Sequence, residues 1–343
     1  MEFNWVLLYP LMQTDSRYAV AFAEKLQQIQ SVDYDERLNV LNNHRFGDDP
    51  QEWGDGLSEL FIAWRNDPYA PMVSHTMEWA CDFFDIDPED YPWISVPMAA
   101  AVLADLDHDN SYHNTNHFRE VVILLALMID VFMSLEEMKV TLTKNDILMM
   151  LTAAAIHDFA HDGRGNFIDG THSPSRMERK SFNQAKNFLA TAGASRDQRD
   201  IIELMLICTD VSRVEAGRSP SGFCRDAYRA HENDLTNMIA VPTELKPLLK
   251  DRKLSLMAMM LCEADMGLSA GLSYNFAKEM TRLVASESTV LSPSPITLRG
   301  FMDAICHGGF STPAAKVMME ENFKTIYQCA DQDIDDKVLY SKP

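Results

Sequence analysis

The stretch Ile147 to Ile156 is built almost wholly of Ile, Leu, Met and Ala. It runs straight into His157-Asp158-Phe159-Ala160-His161-Asp162-Gly163. A helix that is apolar all round offers no face to water, so it belongs in the middle of a core. Ending such a helix in His-Asp, with a second His four residues on, puts three candidate metal ligands where water is scarce. His157 and His161 share a face if the helix continues through them. Asp158 carries two oxygens, enough to bridge two cations. Gly163 and Gly165 then break the helix and free the backbone to turn.

A lone His-Asp pair at a helix end is ordinarily just a satisfied polar terminus. The upstream segment Tyr112-His113-Asn114-Thr115-Asn116-His117 changes that reading, with two more histidines at i, i+4 just before the apolar run Val121 to Met133. Five of the ten histidines (His108, His113, His117, His157 and His161) fall within 54 residues. Two such pairs, each beside an apolar helix, point to a metal centre assembled between packed helices. Asp265 stands among Met259, Met260, Leu261 and Leu268. A carboxylate there is expensive to bury unless it is paired or bound to metal.

A chain of 343 residues, 46% apolar, can build one large domain or two. The balance of 30 basic against 51 acidic residues gives a net charge of −21. An acidic surface repels nucleic-acid backbones and anionic membranes, so neither is an expected partner. It also repels a phosphate substrate unless cations in the site reverse the local field. Six cysteines (Cys81, Cys208, Cys224, Cys262, Cys306 and Cys329) show no CxxC and no tight pairing, which favours reduced thiols and a cytoplasmic setting. Met1-Glu2-Phe3-Asn4-Trp5 has no basic leader region, and no run of about 18 apolar residues follows anywhere, so neither a signal peptide nor membrane insertion is expected.

Apolar spacing predicts helices over 16–30, 57–65, 71–84, 95–106, 116–131, 175–190, 195–208, 249–272, 274–285, 296–307 and 313–330. Ser134 to Glu137 and Thr143 to Asp146 read as capping boxes that open helices, and Asp87-Pro88-Glu89-Asp90 as a helix start. Residues 47–56, 163–174, 212–225 and 286–295 read as loops. No segment alternates with period two and no repeat recurs. The expected fold is all-α, a compact multi-helix bundle. Residues 1–90 read as a helical region packed on a catalytic domain over 91–343, with no Gly-, Ser- or Pro-rich linker between them. Their role and any protein partners are left open.

His157-Asp158-Phe159-Ala160-His161-Asp162-Gly163-Arg164-Gly165-Asn166-Phe167-Ile168 resembles the metal-binding signature of class I cyclic nucleotide phosphodiesterases, enzymes of the HD type. Tyr112-His113-Asn114 with His117 resembles the upstream motif of that family. Ala264-Asp265-Met266, Thr209-Asp210-Val211-Ser212 and Gly300-Phe301-Met302-Asp303 resemble three further landmarks, in the same order. The likeness covers roughly residues 95–330.

The resemblance implies a two-metal site between helices. His117, His157, Asp158 and Asp265 would hold the first ion, a zinc, manganese or iron by the mixed nitrogen and oxygen donors. Asp158 would bridge to a second ion, magnesium or manganese, held mostly through waters. A water shared by two such ions becomes the nucleophile. His113 would be the general acid that protonates the leaving oxygen. His161, Asn166, Glu178 and Thr209 would orient metal-bound waters, and Tyr112, Leu298 and Phe301 would line the substrate site. The implied reaction is hydrolysis of a cyclic nucleotide, cAMP or cGMP, to the 5′-monophosphate in signal transduction.

Four residues depart from the family pattern. Leu298 stands where a glutamine grips the purine edge, Leu268 where an asparagine is frequent, and Lys180-Ser181 where a His-His pair is usual. Leu298 therefore keeps open a metal phosphohydrolase acting on another phosphodiester or a phosphomonoester. A non-catalytic nucleotide-binding module is a third reading, against which the full ligand set and His113 argue.

Overall fold

The computed structural model describes residues 3–14, 16–31, 35–47, 49–106, 108–136, 139–168, 171–212, 218–287, 297–306 and 308–332. The fold is all-α. The first part of the chain forms α1 (Ala19–Ile29), α2 (Asp35–Leu38), α3 (Pro50–Arg65) and α4 (Val73–Phe83). The apolar middle forms α5 (Ser95–Ala104), α6 (Thr115–Ser134) and α7 (Lys144–Ile156). Then come α8 (Arg176–Thr191), α9 (Arg196–Thr209), α10 (Pro220–Glu232), α11 (Lys246–Lys250), α12 (Arg252–Ala270) and α13 (Tyr274–Glu287). Last are the single turn α14 (Leu298–Phe301) and α15 (Pro313–Gln332). The strand pairing among the described residues is one short antiparallel ladder, β1 (Phe167–Ile168) with β2 (Thr171–His172), inside a stretch expected to be plain loop.

Helix α7 is the axis of the bundle, which is why its sequence has no polar face. From Asp146 to Ile156 every residue is buried, and α5, α6, α9 and α12 surround it. Its start is the expected capping box: Thr143 Oγ1 accepts from Asp146 N, and Asp146 Oδ2 accepts from Thr143 N at 2.7 Å. Helix α12 is buried almost as completely. None of the described helices is long and apolar enough to cross a membrane.

Several boundaries differ from expectation, each for a local reason. The polar stretch 47–56 is not a loop: Asp49 caps α3 through Gln51 N and Glu52 N, and Gly54 and Gly56 lie inside the helix. Gly54 is there for contact. A Cβ at that position would collide with Asn322 Nδ2 and the Leu272 carbonyl, so α3 reaches the α12–α13 corner and α15 only through a glycine. Asp87 caps a tight turn through Glu89 N and opens no α-helix; the chain reaches α5 through the 3-10 turn Pro92–Ile94. Ser134 closes α6, and its hydroxyl donates to the Val131 carbonyl, so no helix starts there; Glu137 lies outside the described residues. The 249–272 helix is broken at Asp251, which caps α12 through Leu254 N. Within 212–225, Ser219 caps α10, whose Phe223, Cys224 and Arg225 are buried; residues 213–217 lie outside the described residues. The 296–307 helix is instead α14 followed by a π-helical turn, Met302–Cys306, with Ile296 and His307 outside the described residues. Helix α13 runs on through Glu287, two residues into the expected 286–295 loop; 288–295 lie outside the described residues.

Residues 1–90 grip the rest through buried polar contacts as well as packing. Arg65 at the end of α3 makes a bidentate pair with Glu120 of α6, Nε to Oε1 at 2.7 Å, and the Glu120 side chain is fully buried. Asp105, at the end of α5, caps α4 by accepting from Val73 N at 2.7 Å and Ser74 N at 2.9 Å. Burial pushes the Asp105 carboxyl up to about 6 in spite of those bonds.

Candidate metal centre

Three helices deliver the donors. Asn114 caps α6 by accepting from Asn116 N, which sets His117 on the first turn of that helix. Helix α7 stops at Ile156, with His157 as its C-cap residue and Asp158 beginning the turn after it. Asp265 comes from the middle of α12. The two imidazole Nε2 atoms are 3.1 Å apart. His157 Nε2 lies 3.4 Å from Asp158 Oδ2 and 3.7 Å from Asp265 Oδ1. His117 Nε2 lies 3.9 Å and 3.4 Å from the same oxygens.

Donors held about 2.0–2.2 Å from an ion sit roughly 3–3.5 Å from one another. The observed spacing fits that, and His117, His157 and Asp158 each offer an atom within 4.8 Å of the others. His157 Nδ1 lies 2.8 Å from the Ala154 carbonyl and donates to it, which leaves the Nε2 lone pair facing inward. The field at this point favours positive charge. Burial opposes a proton on His157, yet Asp158 and then Asp265 outweigh it and lift the pKa to about 9. At His117 burial wins, with the His157 ring beside it, and the pKa falls well below the ordinary value, so this ring is neutral. Burial likewise opposes the Asp158 carboxylate, but the His157 and His113 imidazoles hold its pKa low.

His113 and His161 form a second cluster. Their rings stack with centroids 3.8 Å apart, and both turn Nδ1 toward one carboxylate oxygen, Glu287 Oε1, at 2.6 Å and 2.9 Å. Glu287 Oε2 accepts from the backbone N–H groups of Tyr112 and His113. Burial works against this carboxylate, but the bonds from His113 and then His161 hold its pKa far below the usual range. With an ionised acceptor 2.6 Å from its Nδ1, the His113 ring carries a hydrogen there. The other nitrogen of His113, Nε2, then points toward the converging histidine and aspartate side chains, 3.5 Å from Asp158 Oδ2. Burial lowers the His113 pKa, but Asp158 and the Glu287 bond more than compensate and raise it.

His161 does not share a helix face with His157, because α7 ends before either residue and the chain turns through Asp158. Asn166, Glu178 and Ser212 form a neighbouring polar group. Asn166 Nδ2 donates to Glu178 Oε1 and to Ser212 Oγ, and its Oδ1 accepts from Met177 N. Burial, then Asp210 and Asp158, push the Glu178 carboxyl well up. The Thr209 hydroxyl turns back onto the Leu206 carbonyl. The Tyr112 ring packs 4.5 Å from that of His117, and its hydroxyl meets Ser269. Leu298 and Phe301 lie apart on α14, Leu298 fully buried and Phe301 half-buried at the core edge.

Two participants are absent from the residues singled out by motif. Glu287 lies in Ser286-Glu287-Ser288, which has no ligand pattern. Asn110, whose Nδ2 donates to the carbonyls of His113 and His161 and so ties the two segments together, lies in a polar turn. Neither carries a signal in one sequence.

The family model for 3′5′-cyclic nucleotide phosphodiesterases matches residues 112–291, just over half of the chain. Among solved structures with a similar fold is the phosphodiesterase domain of the RhoPDE fusion protein from the choanoflagellate Salpingoeca rosetta. It is 15% identical, with 81% of this chain and 90% of that one covered and a TM-score of 0.48. A search of curated proteins finds no match. The matched span opens at Tyr112 and takes in the donors on α6, α7 and α12, and the family implies divalent metals at such a site. The chain belongs to the 3′,5′-cyclic nucleotide phosphodiesterase family, as a divergent class I member, and is a phosphodiesterase.

Proposed function

We propose that the protein hydrolyses a 3′,5′-cyclic nucleotide, cAMP or cGMP, to the 5′-monophosphate, with two divalent cations and His113 as general acid. The observation that carries this reading is the orientation of His113, with Nδ1 fixed on Glu287 and Nε2 facing the convergent donors of His117, His157, Asp158 and Asp265. These four residues would hold the first ion, zinc or else manganese or iron, and the free oxygen of Asp158 would reach a second, magnesium or manganese. When bound, such ions neutralise phosphoryl charge and activate water.

The chain's own residues do the rest. His113 gives the proton on Nε2 to the leaving 3′ oxygen, and Glu287 keeps that imidazolium charged and aimed. His161 shares the carboxylate and buttresses the His113 ring. Asn166, Glu178 and Thr209 order water around the ions. Tyr112 supports the His117 ring, and Phe301 stacks on the base. Leu298 offers the base no hydrogen bond, so purine binding is weak and discrimination poor. The six unpaired cysteines fit a reducing, cytoplasmic setting, and the acidic chain fits a small-molecule partner over nucleic acid.

The test is hydrolysis by the purified protein of cAMP, cGMP, other phosphodiesters and phosphomonoesters, with Mg²⁺ or Mn²⁺ added after chelation. Metal-dependent release of a 5′-monophosphate is expected. Leu298 favours one second reading, a different phosphodiester. Cleavage of such a diester with no cyclic nucleotide turned over at any concentration would replace the first reading with it. Full activity after exhaustive chelation would refute both.

A further inference from the structure

Arg225 of α10 is a charged side chain only 3% exposed. Its Nη1 donates to the Cys306 carbonyl at 3.1 Å, Nη2 approaches Met266 Sδ at 4.0 Å, and Nε has no partner among the described residues. The carboxylate that feels its charge is Glu263. The oxygens of Glu263 are already taken by the backbone of Ser311 and by the backbone and hydroxyl of Thr312, at the start of α15. A guanidinium so poorly paired is not there for stability, since an apolar side chain of similar volume commonly serves a core as well or better.

Its two contacts suggest what it does. Cys306 ends the π-helical turn Met302–Cys306, which follows directly on Phe301. A single π turn inside a helical stretch is uncommon and is often found at functional sites. Met266 is the residue after Asp265. One buried side chain therefore joins the segment that follows Phe301 to the helix that carries a metal donor, while Leu298, one turn earlier, supplies no polar grip of its own.

We propose that Arg225 is a positioning residue for base recognition: it sets the distance between Phe301 and Asp265 by clamping the π turn to α12. The inference rests on the cyclic-nucleotide reading above. Arg225→Met keeps an unbranched apolar stem and removes every donor; Arg225→Lys keeps the charge with a single donor group. KM and kcat are measured for cAMP and cGMP, the rate for bis(p-nitrophenyl) phosphate, a diester with no base, and the bound metal by elemental analysis. R225M is expected to raise KM for the cyclic nucleotide about tenfold, the effect of one lost hydrogen bond to a charged group. Saturated kcat, the rate on the base-free diester and metal content should stay within about twofold, and R225K should lie between wild type and R225M. Equal losses on both substrates, loss of metal, or an unchanged KM would overturn the proposal. If R225M does not fold, R225K decides by the same KM-against-kcat comparison. Wild type that cleaves the base-free diester and no cyclic nucleotide overturns the proposed function and this inference together. Cyclic-nucleotide turnover with KM unmoved in R225M overturns the inference alone.

Discussion

Replacing Glu287 by glutamine keeps the volume of the side chain and removes its charge. The carboxylate accepts four hydrogen bonds, two from imidazoles and two from backbone N–H groups. An amide has one accepting end, so at least one donor in the cluster then faces an NH₂ group. A hydrogen bond to a charged partner contributes about 1.5–3 kcal/mol, which at 1.36 kcal/mol per unit is roughly 1–2 units of proton affinity at His113. His113 has a pKa raised above the ordinary value, with Asp158 and Glu287 as the causes that overcome burial. Its acid form therefore survives to higher pH than a free imidazolium, and activity that needs it is lost as pH rises through the shifted value. In E287Q the basic limb of the kcat profile should move about 1–2 units toward lower pH. At pH 7.5 kcat should drop about 10- to 100-fold, as is typical for a group that orients an acting residue. Metal content should not change, because Glu287 touches none of the four donors around the ion site. The assay is kcat against pH from 5.5 to 9.5 with elemental analysis of the same samples. An unmoved basic limb with wild-type kcat would refute the assignment of His113 as acid. Metal loss as large as in an Asp158 variant would refute the separation of the two clusters.

Four other variants test neighbouring parts of the argument. His113→Ala should keep its metal and lose about 100- to 10,000-fold in kcat, the range for general acid catalysis, whereas His117→Ala should lose metal; equal metal loss in both would reverse the roles. Asp158→Ala should lose both ions by elemental analysis, and retention of one full equivalent would refute bridging. Asp105→Asn tests the buried cap of α4. A folded pKa of about 6 against an ordinary 3.8 means that the folded state binds the proton more tightly. Stability from this group is then full below about pH 4 and lost as pH rises through 6, to the extent of roughly 3 kcal/mol. The Tm of D105N relative to wild type should rise between pH 4 and pH 7, and a flat difference would count against the buried titration.

The parts of the fold that could be read from sequence were those where one physical effect dominates. The run Ile147 to Ile156 has to be central because no face of it tolerates water, and Thr143 to Asp146 satisfies its own end, so both were legible. Errors arose where a residue answers to a distant partner. Gly54 looks like a helix breaker until Asn322 and the Leu272 carbonyl are seen to occupy the space of its missing Cβ. Asp251 splits an apolar run that periodicity joins, because its side chain caps the second piece. The convergence of His117, His157, Asp158 and Asp265 was legible because histidine and aspartate at helical spacing beside apolar helices have few other uses. Glu287 was not, since nothing local distinguishes an acid at the end of an amphipathic helix from a solvated one. Only the fold, bringing it 174 residues back to His113, gives it a task.

The close approach of α3 to α15 has a consequence for the order in which the molecule is made. Asn322 donates to the Pro50 carbonyl, 272 positions away, across the contact that Gly54 permits. At about 5–20 residues per second, roughly 15–50 s separate the synthesis of these two partners. During that interval the Pro50 end of α3 lacks its α15 partner, while Trp53, Leu57, Phe61 and Trp64, all buried in the finished protein, give the helix a broad apolar face. Helix α3 is thus made, with its sticky amphipathic face, well before the helix that closes against it. A ribosome stalled before codon 313 should hold a chain whose α3 binds hydrophobic chaperones and is cut readily by protease. Release of the full chain should end both.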